Sequence, residues 1–241
     1  MQPIGCRRHA FARRLFAIFS IVLCLGGLRT AHASELFDNT ITFLNGRIVL
    51  ENPVSRCTGT CGVHVFAGSF LDTDMTEVFG LEGYVAPWNW TYGTSNIAGG
   101  AVSRRLATVF QSVDLEAELG FGQRFGGGAH ATESWAAFYL RWHRFPWNRY
   151  LHTTVAVSTG LSYASRIDDI EVERSPSATS RLLHYFSPEV TFARPDHQHV
   201  KLVLRLHHRS GGRDYVFGDT DIFNGVSGGA QYLTAGLKYQ F

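Results

Sequence analysis

A histidine and a serine stand two residues apart in the run LHHRSGG, which covers residues 206–212. Side chains at positions i and i+2 of a strand share a face and lie about 6.5 to 7 Å apart along it, so that an imidazole and a hydroxyl can meet there. His208 can then act as a general base and Ser210 as the activated nucleophile. The backbone amides of Gly211 and Gly212 are placed to hold a developing oxyanion. A His-x-Ser spacing is common by chance. Whether this pair is functional therefore depends on the elements that position it.

The composition is that of a folded chain. Of the 241 residues, 45% are hydrophobic and 13% aromatic, with 25 glycines and 7 prolines, which excludes a disordered or a fibrous protein. Lysine occurs only at Lys201 and Lys238, a distribution that argues against a basic surface for nucleic acid. No run after residue 33 has the roughly 18 to 20 apolar residues that a spanning helix needs, so a helical membrane protein is excluded as well.

Residues 1–33 have the pattern of a secretory signal peptide. Four arginines within residues 7–14 precede an apolar stretch at 15–28, and the sequence AHA at 31–33 offers small residues at the cleavage positions. The mature chain is expected to begin near Ser34. Because five of the 22 basic residues and none of the 20 acidic ones lie in this segment, the mature chain has a net charge of about −3.

Two cysteines remain in the mature chain, Cys57 and Cys61, within the sequence CTGTC. In an exported protein such a pair favours a disulfide that closes a small loop. A metal site is the alternative, although two further ligands at suitable spacing are missing from the sequence. We therefore predict an N-terminal extension at 34–61 with a possible disulfide, followed by a single domain at 62–241.

Alternation of apolar and polar residues indicates that this domain is a β-sheet. From 111 to 126 apolar residues occupy every second position, and period two indicates a strand. Comparable segments predict strands at 62–71, 96–107, 111–126, 134–145, 154–163, 182–194, 200–210 and 231–241, with 76–88 as an alternative to the first. Tight turns at 146–150 and 195–197 alternate with long loops at 72–95, 166–179 and 211–230.

The length of these strands favours a membrane barrel. Strands of ten or more residues are long for a globular sandwich but suit a tilted spanning strand of about 9 to 11 residues with an extension beyond the bilayer. The last strand ends on Phe241, which resembles the C-terminal signature that the barrel-assembly machinery of bacterial outer membranes reads. We predict an all-β fold, an eight-stranded antiparallel transmembrane β-barrel in the outer membrane. The alternative is a soluble carrier of the lipocalin type, which would leave charged residues such as Glu116 and Arg205 outside in rows.

The alternation also places the histidine and the serine on the lipid-facing side of the seventh strand. Leu202 and Leu204 define that face, so His208 and Ser210 point outward, whereas His207 points into the lumen. A polar, ionisable group on a lipid-facing wall is costly and indicates a function. The seventh of eight strands runs outward, which puts the pair near the external rim, in the leaflet made of lipopolysaccharide. The alternative is that both residues only contact polar headgroups.

The inward positions carry charges of both signs, and an eight-stranded barrel is only wide enough for side chains to fill. We therefore expect a salt-bridged core rather than a channel. Its expected members are Arg141, Arg205, Lys201, one of Arg104 or Arg105, Asp114, Glu116, Glu118 and Glu189. The tryptophans, Trp135 among them, mostly suit interfacial girdles. No metal or cofactor is expected, because the histidines at 197 and 199 lie roughly 26 Å along the strand from those at 207 and 208.

The seventh strand and the segment after it resemble a known family. The run LRLHHRS at 204–210, a glycine-rich loop and a final strand are similar to the outer-membrane lipid A 3-O-deacylases (PagL), also described as acyloxyacyl-hydrolase-like proteins. The resemblance is concentrated in about the last forty residues, and 34–61 has no assigned counterpart. It implies an eight-stranded barrel that hydrolyses the ester-linked acyl chain at the 3-position of lipid A in lipopolysaccharide. In this reaction His208 would be the base and Ser210 the nucleophile.

That family completes its triad with a glutamate on the last strand, and the matching position here is Gln231. A neutral amide can fix an imidazole tautomer, but it cannot stabilise the imidazolium as a carboxylate does. The preceding loop offers three carboxylates as substitutes, Asp214, Asp219 and Asp221. Two functions therefore remain to be separated: a serine esterase acting on lipid A, and a structural or adhesive barrel without catalysis.

Overall fold

The computed structural model describes residues 40–81, 83–212 and 221–241. The predicted signal peptide at 1–33 lies outside the described residues, as do Asp214 and Asp219 of the last loop. No helix in the described part of the chain has the length and the apolar character that crossing a membrane would require.

Eleven strands are present in the described residues. They are β1 (Thr40–Phe43), β2 (Ile48–Glu51), β3 (Cys61–Leu71), β4 (Tyr92–Val109), β5 (Val113–Phe125), β6 (Thr132–Trp142), β7 (His152–Ala164), β8 (Leu182–Phe186), β9 (Glu189–Arg194), β10 (His197–Ser210) and β11 (Gly229–Gln240). The loop after β3 contains the short helix α1 (Met75–Val78), and the loop after β7 contains α2 (Asp169–Arg174). Turns of 3-10 helix cover Pro87–Asn89 and Ile222–Gly225.

The strands pair in an antiparallel sheet whose pairings follow a barrel-like ring. β3, β4, β5, β6 and β7 pair in chain order. β8 and β9 both lie between β7 and β10. The last strand, β11, pairs with β10 on one side and with β3 on the other. This architecture is the all-β, antiparallel class that the alternation predicts.

One predicted strand is divided. The segment 182–194 forms β8 and β9, which are separated by Ser187 and Pro188. Pro188 has no N–H to donate to a sheet ladder, so the pairing is interrupted there. Its carbonyl still accepts a hydrogen bond from the Leu206 amide (3.0 Å). The residues on both sides of the break keep period two in their burial, which is why alternation alone misses it.

The predicted extension contributes to the sheet. β1 and β2 form a hairpin, and β2 pairs with the end of β4, with Ile48 opposite Val109. A disulfide between Cys57 and Cys61 closes the loop that follows. Strand β3 begins at Cys61, one residue before the predicted domain boundary.

Arg104 and Arg105 both contact this extension, and Arg105, opposite Glu116 of β5, has the inward parity that is predicted for one of them. The Arg104 guanidinium donates to the carbonyl oxygens of Asn52 (2.8 Å) and Ser55 (2.9 Å). Arg105 forms a salt bridge with Glu51 (3.1 Å). Arg104 is opposite Cys61, the first residue of β3, and Arg105 lies where β4, which is 18 residues long, continues past it. The hairpin and the disulfide loop meet β4 at that end.

The inward face of the sheet holds buried ion pairs. Arg205 contacts Glu118 (2.8 Å) and Glu189, and Arg141 contacts Glu116 (2.8 Å) and Glu189 (2.7 Å). Each of these carboxylates thus faces at least one guanidinium, which offsets the cost of removing the charges from water. The alternation in the sequence predicts this arrangement.

Two interior predictions need correction. Asp114 lies at the start of β5 and contacts His143 (3.2 Å), a residue outside the strands, instead of joining the central network. Trp135 is buried and stacks on Tyr185 with ring centroids 5.5 Å apart, so it does not belong to an interfacial girdle. It occupies an inward position of β6, and strand parity decides its environment more strongly than its residue type.

The outward face is apolar on most strands. Exposed side chains on this face include Val63, Val65, Val102, Leu119, Phe121, Phe138, Leu140, Val155, Val157, Leu161, Leu202, Leu204 and Leu237. An exposed apolar surface that so many strands share is typical of a face that contacts a membrane or another protein.

Candidate active site

His208 and Ser210 lie next to each other on the outward face of β10, where it ends. The earlier outward residues Leu202 and Leu204 are exposed, whereas His208 and Ser210 are half-buried. The imidazole Nε2 of His208 lies 2.9 Å from the hydroxyl Oγ of Ser210. That distance is within the range for a base and a nucleophile that share a proton.

Gln231 lies behind the imidazole. It is directly opposite His208 in the pairing of β10 with β11, and its Oε1 lies 3.3 Å from Nδ1 of His208. The other end of the amide, Nε2, donates to the backbone carbonyl of Thr73. This second contact turns the amide oxygen toward the imidazole. Nδ1 of His208 therefore carries the proton, and Nε2 keeps the lone pair that accepts the proton of Ser210.

Of the three acidic alternatives to Gln231, only Asp221 lies in the described residues. Asp221 is exposed, and its backbone carbonyl accepts a hydrogen bond from the Asn224 amide (3.1 Å). Asp214 and Asp219 lie outside the described residues. Among the residues described, an amide therefore occupies the place that the resembling family gives to a carboxylate.

Of the two glycines after the serine, Gly211 differs from the prediction. The Gly211 amide donates to the Gly228 carbonyl (3.1 Å), so it is not a free oxyanion donor in this conformation. A side chain at this position would collide with the backbone carbonyl of Val226, which explains the glycine without an oxyanion. Gly212 is buried and has a φ of 64°, a left-handed conformation that favours glycine. Its role as an oxyanion donor stays a prediction.

The neighbouring strand β8 provides the other wall of the site. His184 is opposite Ser210 and Phe186 is opposite His208 in the pairing of β8 with β10. His184 shares the outward face, and its Nε2 lies 2.9 Å from the Thr159 hydroxyl. The nucleophile thus lies between an imidazole on one side and Gly229 of β11 on the other.

Thr73 is the participant that the sequence did not reveal. It acts through its backbone carbonyl, which every residue type carries, so no side-chain pattern identifies it. Within the described ranges, no group of three or more histidine, cysteine or acidic side chains is arranged to hold a metal ion. The contact between His208 and Ser210 suits nucleophilic and general-base chemistry.

Known proteins were compared with the chain by sequence and by structure. No protein-family model matches the sequence, and no curated protein matches it either. Among solved structures, a de novo designed transmembrane β-barrel is similar with a TM-score of 0.41 and 11% identity, over 78% of this chain and 100% of that one. The outer membrane protein OprG from Pseudomonas aeruginosa is similar with a TM-score of 0.40 and 10% identity, over 76% of this chain and 96% of that one.

Proposed function

We propose that the chain is an eight-stranded outer-membrane β-barrel whose outer wall carries a serine esterase site for lipid A. In this proposal β8 and β9 together form one interrupted strand of the barrel. The observation that carries the proposal is the series of contacts from Ser210 through His208 to Gln231 on a mostly apolar face. The roles agree with those implied by the resemblance to the lipid A 3-O-deacylases.

The distribution of charge supports a membrane barrel over a soluble carrier. A carrier of the lipocalin type needs an apolar interior for its ligand. Here the interior holds buried charged groups such as Arg205 and Glu118, and the apolar side chains such as Leu202 and Leu204 are on the outside. The outward face is therefore suited to lipid, and the ionic interior leaves little room for a ligand.

The position of the site along the wall supports a substrate in the outer leaflet. The start of β3 and the end of the chain lie together, with the Phe241 amide donating to the Cys61 carbonyl (2.9 Å). Ser210 lies at the opposite end of β10, where the long loops after β3, β7 and β10 are found. In outer-membrane barrels the longer loops face the exterior. We therefore assign the site to the lipopolysaccharide leaflet and Phe241 to recognition by the barrel-assembly machinery.

The reaction is an acyl transfer in two steps. Oγ of Ser210 attacks the carbonyl carbon of the acyl ester, and its proton passes to Nε2 of His208. The bond between that carbon and the sugar oxygen then breaks, and the imidazolium returns the proton to the leaving alkoxide. Water, deprotonated by the same nitrogen, hydrolyses the acyl-enzyme, which releases a fatty acid and restores Ser210. Gln231 holds the required imidazole tautomer throughout.

Mass spectrometry of lipid A tests the proposal. Expression of the wild-type chain in a Gram-negative host should remove one ester-linked 3-hydroxyacyl chain from lipid A. Ser210→Ala and His208→Ala should each abolish this loss while the protein stays folded in the outer membrane. Ser69→Ala is a matched control. Ser69 lies on β3 outside the site, and its hydroxyl hydrogen-bonds Asn96 of β4 (2.9 Å).

The same experiment distinguishes the alternative function. A structural or adhesive barrel without catalysis would leave the acyl pattern of suitable lipid A unchanged, although the wild-type chain is folded and inserted. Loss of the acyl chain in all variants, including Ser210→Ala, would mean that another residue is the nucleophile.

A further inference from the structure

The long loop between β3 and β4 reaches the site through one backbone carbonyl. Thr73 O accepts the hydrogen bond from the amide nitrogen of Gln231. Thr73 is held at the base of its loop, because its hydroxyl accepts from the Thr91 amide (2.9 Å) and contacts the Thr91 hydroxyl (3.2 Å). The Asp72 amide also donates to the Thr91 carbonyl (2.9 Å). The two ends of the loop therefore meet at the residue that contacts Gln231.

Arg174, the last residue of α2, contacts the same segment from a different loop. Its Nη2 donates to the backbone carbonyl of Asp72 (2.6 Å) and to the carboxylate of the same residue (3.0 Å). Its Nη1 lies 3.7 Å from Oδ1 of Asp74. The guanidinium carbon lies 4.9 Å from the centroid of the Phe70 ring. Arg174 therefore contacts the residues on both sides of Thr73.

The backbone of Arg174 is fixed against the segment that leads into β11. A side chain at Gly228 would collide with the Arg174 carbonyl, so this close approach requires glycine. The Gly228 carbonyl in turn accepts from the Gly211 amide (3.1 Å), next to Ser210. The loops that follow β3, β7 and β10 thus meet at Arg174, beside the nucleophile.

We propose that Arg174 is a positioning residue of the esterase. It holds Asp72 and Asp74 and thereby fixes the intervening Thr73 carbonyl, which orients the Gln231 amide. That amide keeps Nδ1 of His208 protonated and leaves Nε2 to accept the proton of Ser210. The inference rests on the proposed function, because it concerns how readily Ser210 is activated. The hydrogen bonds and the ion pair of Arg174 go to Asp72 and Asp74, so its proposed role is to position the site and not to react.

A double-mutant cycle on kcat tests this role, with Arg174→Gln, Gln231→Ala and the double variant acting on purified lipid A. Arg174→Gln should lower kcat by up to about 100-fold with little change in KM, because a displacement of about 1 Å in a catalytic group costs this much. In the Gln231→Ala background the same substitution should have no further effect, since the connection is already broken. Equal losses in both backgrounds would mean a general structural role and would overturn the proposal.

Two further variants control for charge and for folding. Arg174→Lys keeps the charge but not the planar fork that contacts Asp72 twice, and it should recover only part of kcat. Arg166 is exposed in the same loop, so Arg166→Gln should leave kcat unchanged. Wild-type kcat in Arg174→Gln, or an equal loss in Arg166→Gln, would overturn the proposal.

A fluorophosphonate probe separates this inference from the choice of substrate. The probe reacts with activated serine hydroxyls, so its rate of labelling at Ser210 measures activation directly. Slower labelling in Arg174→Gln, together with no turnover of lipid A by the wild type, would support the positioning role and overturn the substrate. No labelling of Ser210 in the wild type would overturn both.

Discussion

His207 and His208 are neighbours in sequence and lie on opposite sides of the same wall. Nε2 of His207 contacts Glu133 in the interior (3.0 Å), whereas Nε2 of His208 contacts Ser210 outside (2.9 Å). A shift of one residue in the register of β10 would exchange the two imidazoles. The register with β11 is unbroken from residue 200 to residue 210. The site therefore depends on the pairing of the whole strand and not on the His-x-Ser spacing alone.

Gln231→Glu should raise kcat by at least about 10-fold. Replacing the carboxylate by an amide costs about 10⁴-fold in a serine protease, and part of that loss comes from a wrong imidazole tautomer, which Gln231 already avoids. The part that Gln231→Glu should recover is the stabilisation of the imidazolium by a negative charge. The substitution also removes the donor to the Thr73 carbonyl, and leaving such a group unpaired costs about 1 to 3 kcal/mol. Because the first effect is larger than the second, the variant should gain activity. The measurement is kcat for acyl-chain release from lipid A in micelles.

Gln231→Ala is the companion variant, because it removes both the carbonyl that orients His208 and the donor to Thr73. It should be slower than the wild type, with KM little changed. Equal rates for Gln231→Glu and the wild type would show that the missing charge does not limit the reaction.

Arg205→Met should destabilise the barrel strongly. The substitution leaves Glu118 and Glu189 buried without this cation, and removing one partner of a buried ion pair costs about 3 to 5 kcal/mol. Leu204→Met, at the adjacent outward position, conserves volume on an exposed face and should have little effect. Urea unfolding in detergent, followed by the mobility of unheated samples in gels, compares the two. Similar midpoints for both variants would contradict the interior network.

The faces of the strands could be predicted from the sequence because period two is a local property. Arg205 lies inside and His208 outside, where the alternation puts them. The loops carry no comparable pattern. Arg174 and Asp72 contact each other although they are 102 positions apart in the sequence, and only the pairing of the strands brings their loops together.

Gly211 shows where an argument from residue type fails. A glycine after a nucleophile suggests an unobstructed amide, and the oxyanion prediction rests on that suggestion. The amide of Gly211 is instead bound to Gly228, and the glycine is needed because the chain passes close to Val226. This close packing of Gly211 against Val226 depends on how the loop folds back on the strand. The spacing of residues in the sequence does not predict it.

Replacing both cysteines should loosen the end of the barrel where β3 and β11 meet. Cys61 exchanges backbone hydrogen bonds with Phe241 (2.9 and 3.1 Å), so the disulfide to Cys57 is attached to this seam. A loop this short should contribute about 2 kcal/mol in the chain-entropy account. The variant Cys57→Ser/Cys61→Ser should unfold at lower temperature than the wild type in detergent without a reductant. With a reductant present, the two proteins should unfold at the same temperature. If a difference in unfolding temperature remains, the serines and not the missing disulfide cause it.

His143 should make stability depend on pH. The hydrogen bond with Asp114 (3.2 Å) raises the pKa of the His143 imidazole above its ordinary value of 6.5. A raised pKa in the folded state means that the stabilisation is complete below 6.5 and is lost as the pH rises through the folded value. Between about pH 6 and about pH 8, the unfolding temperature should therefore fall more in the wild type than in His143→Gln. His130→Gln changes an exposed histidine and should show the same fall in unfolding temperature as the wild type. If His143→Gln shows that same fall, the contact between His143 and Asp114 is not the cause of the pH dependence.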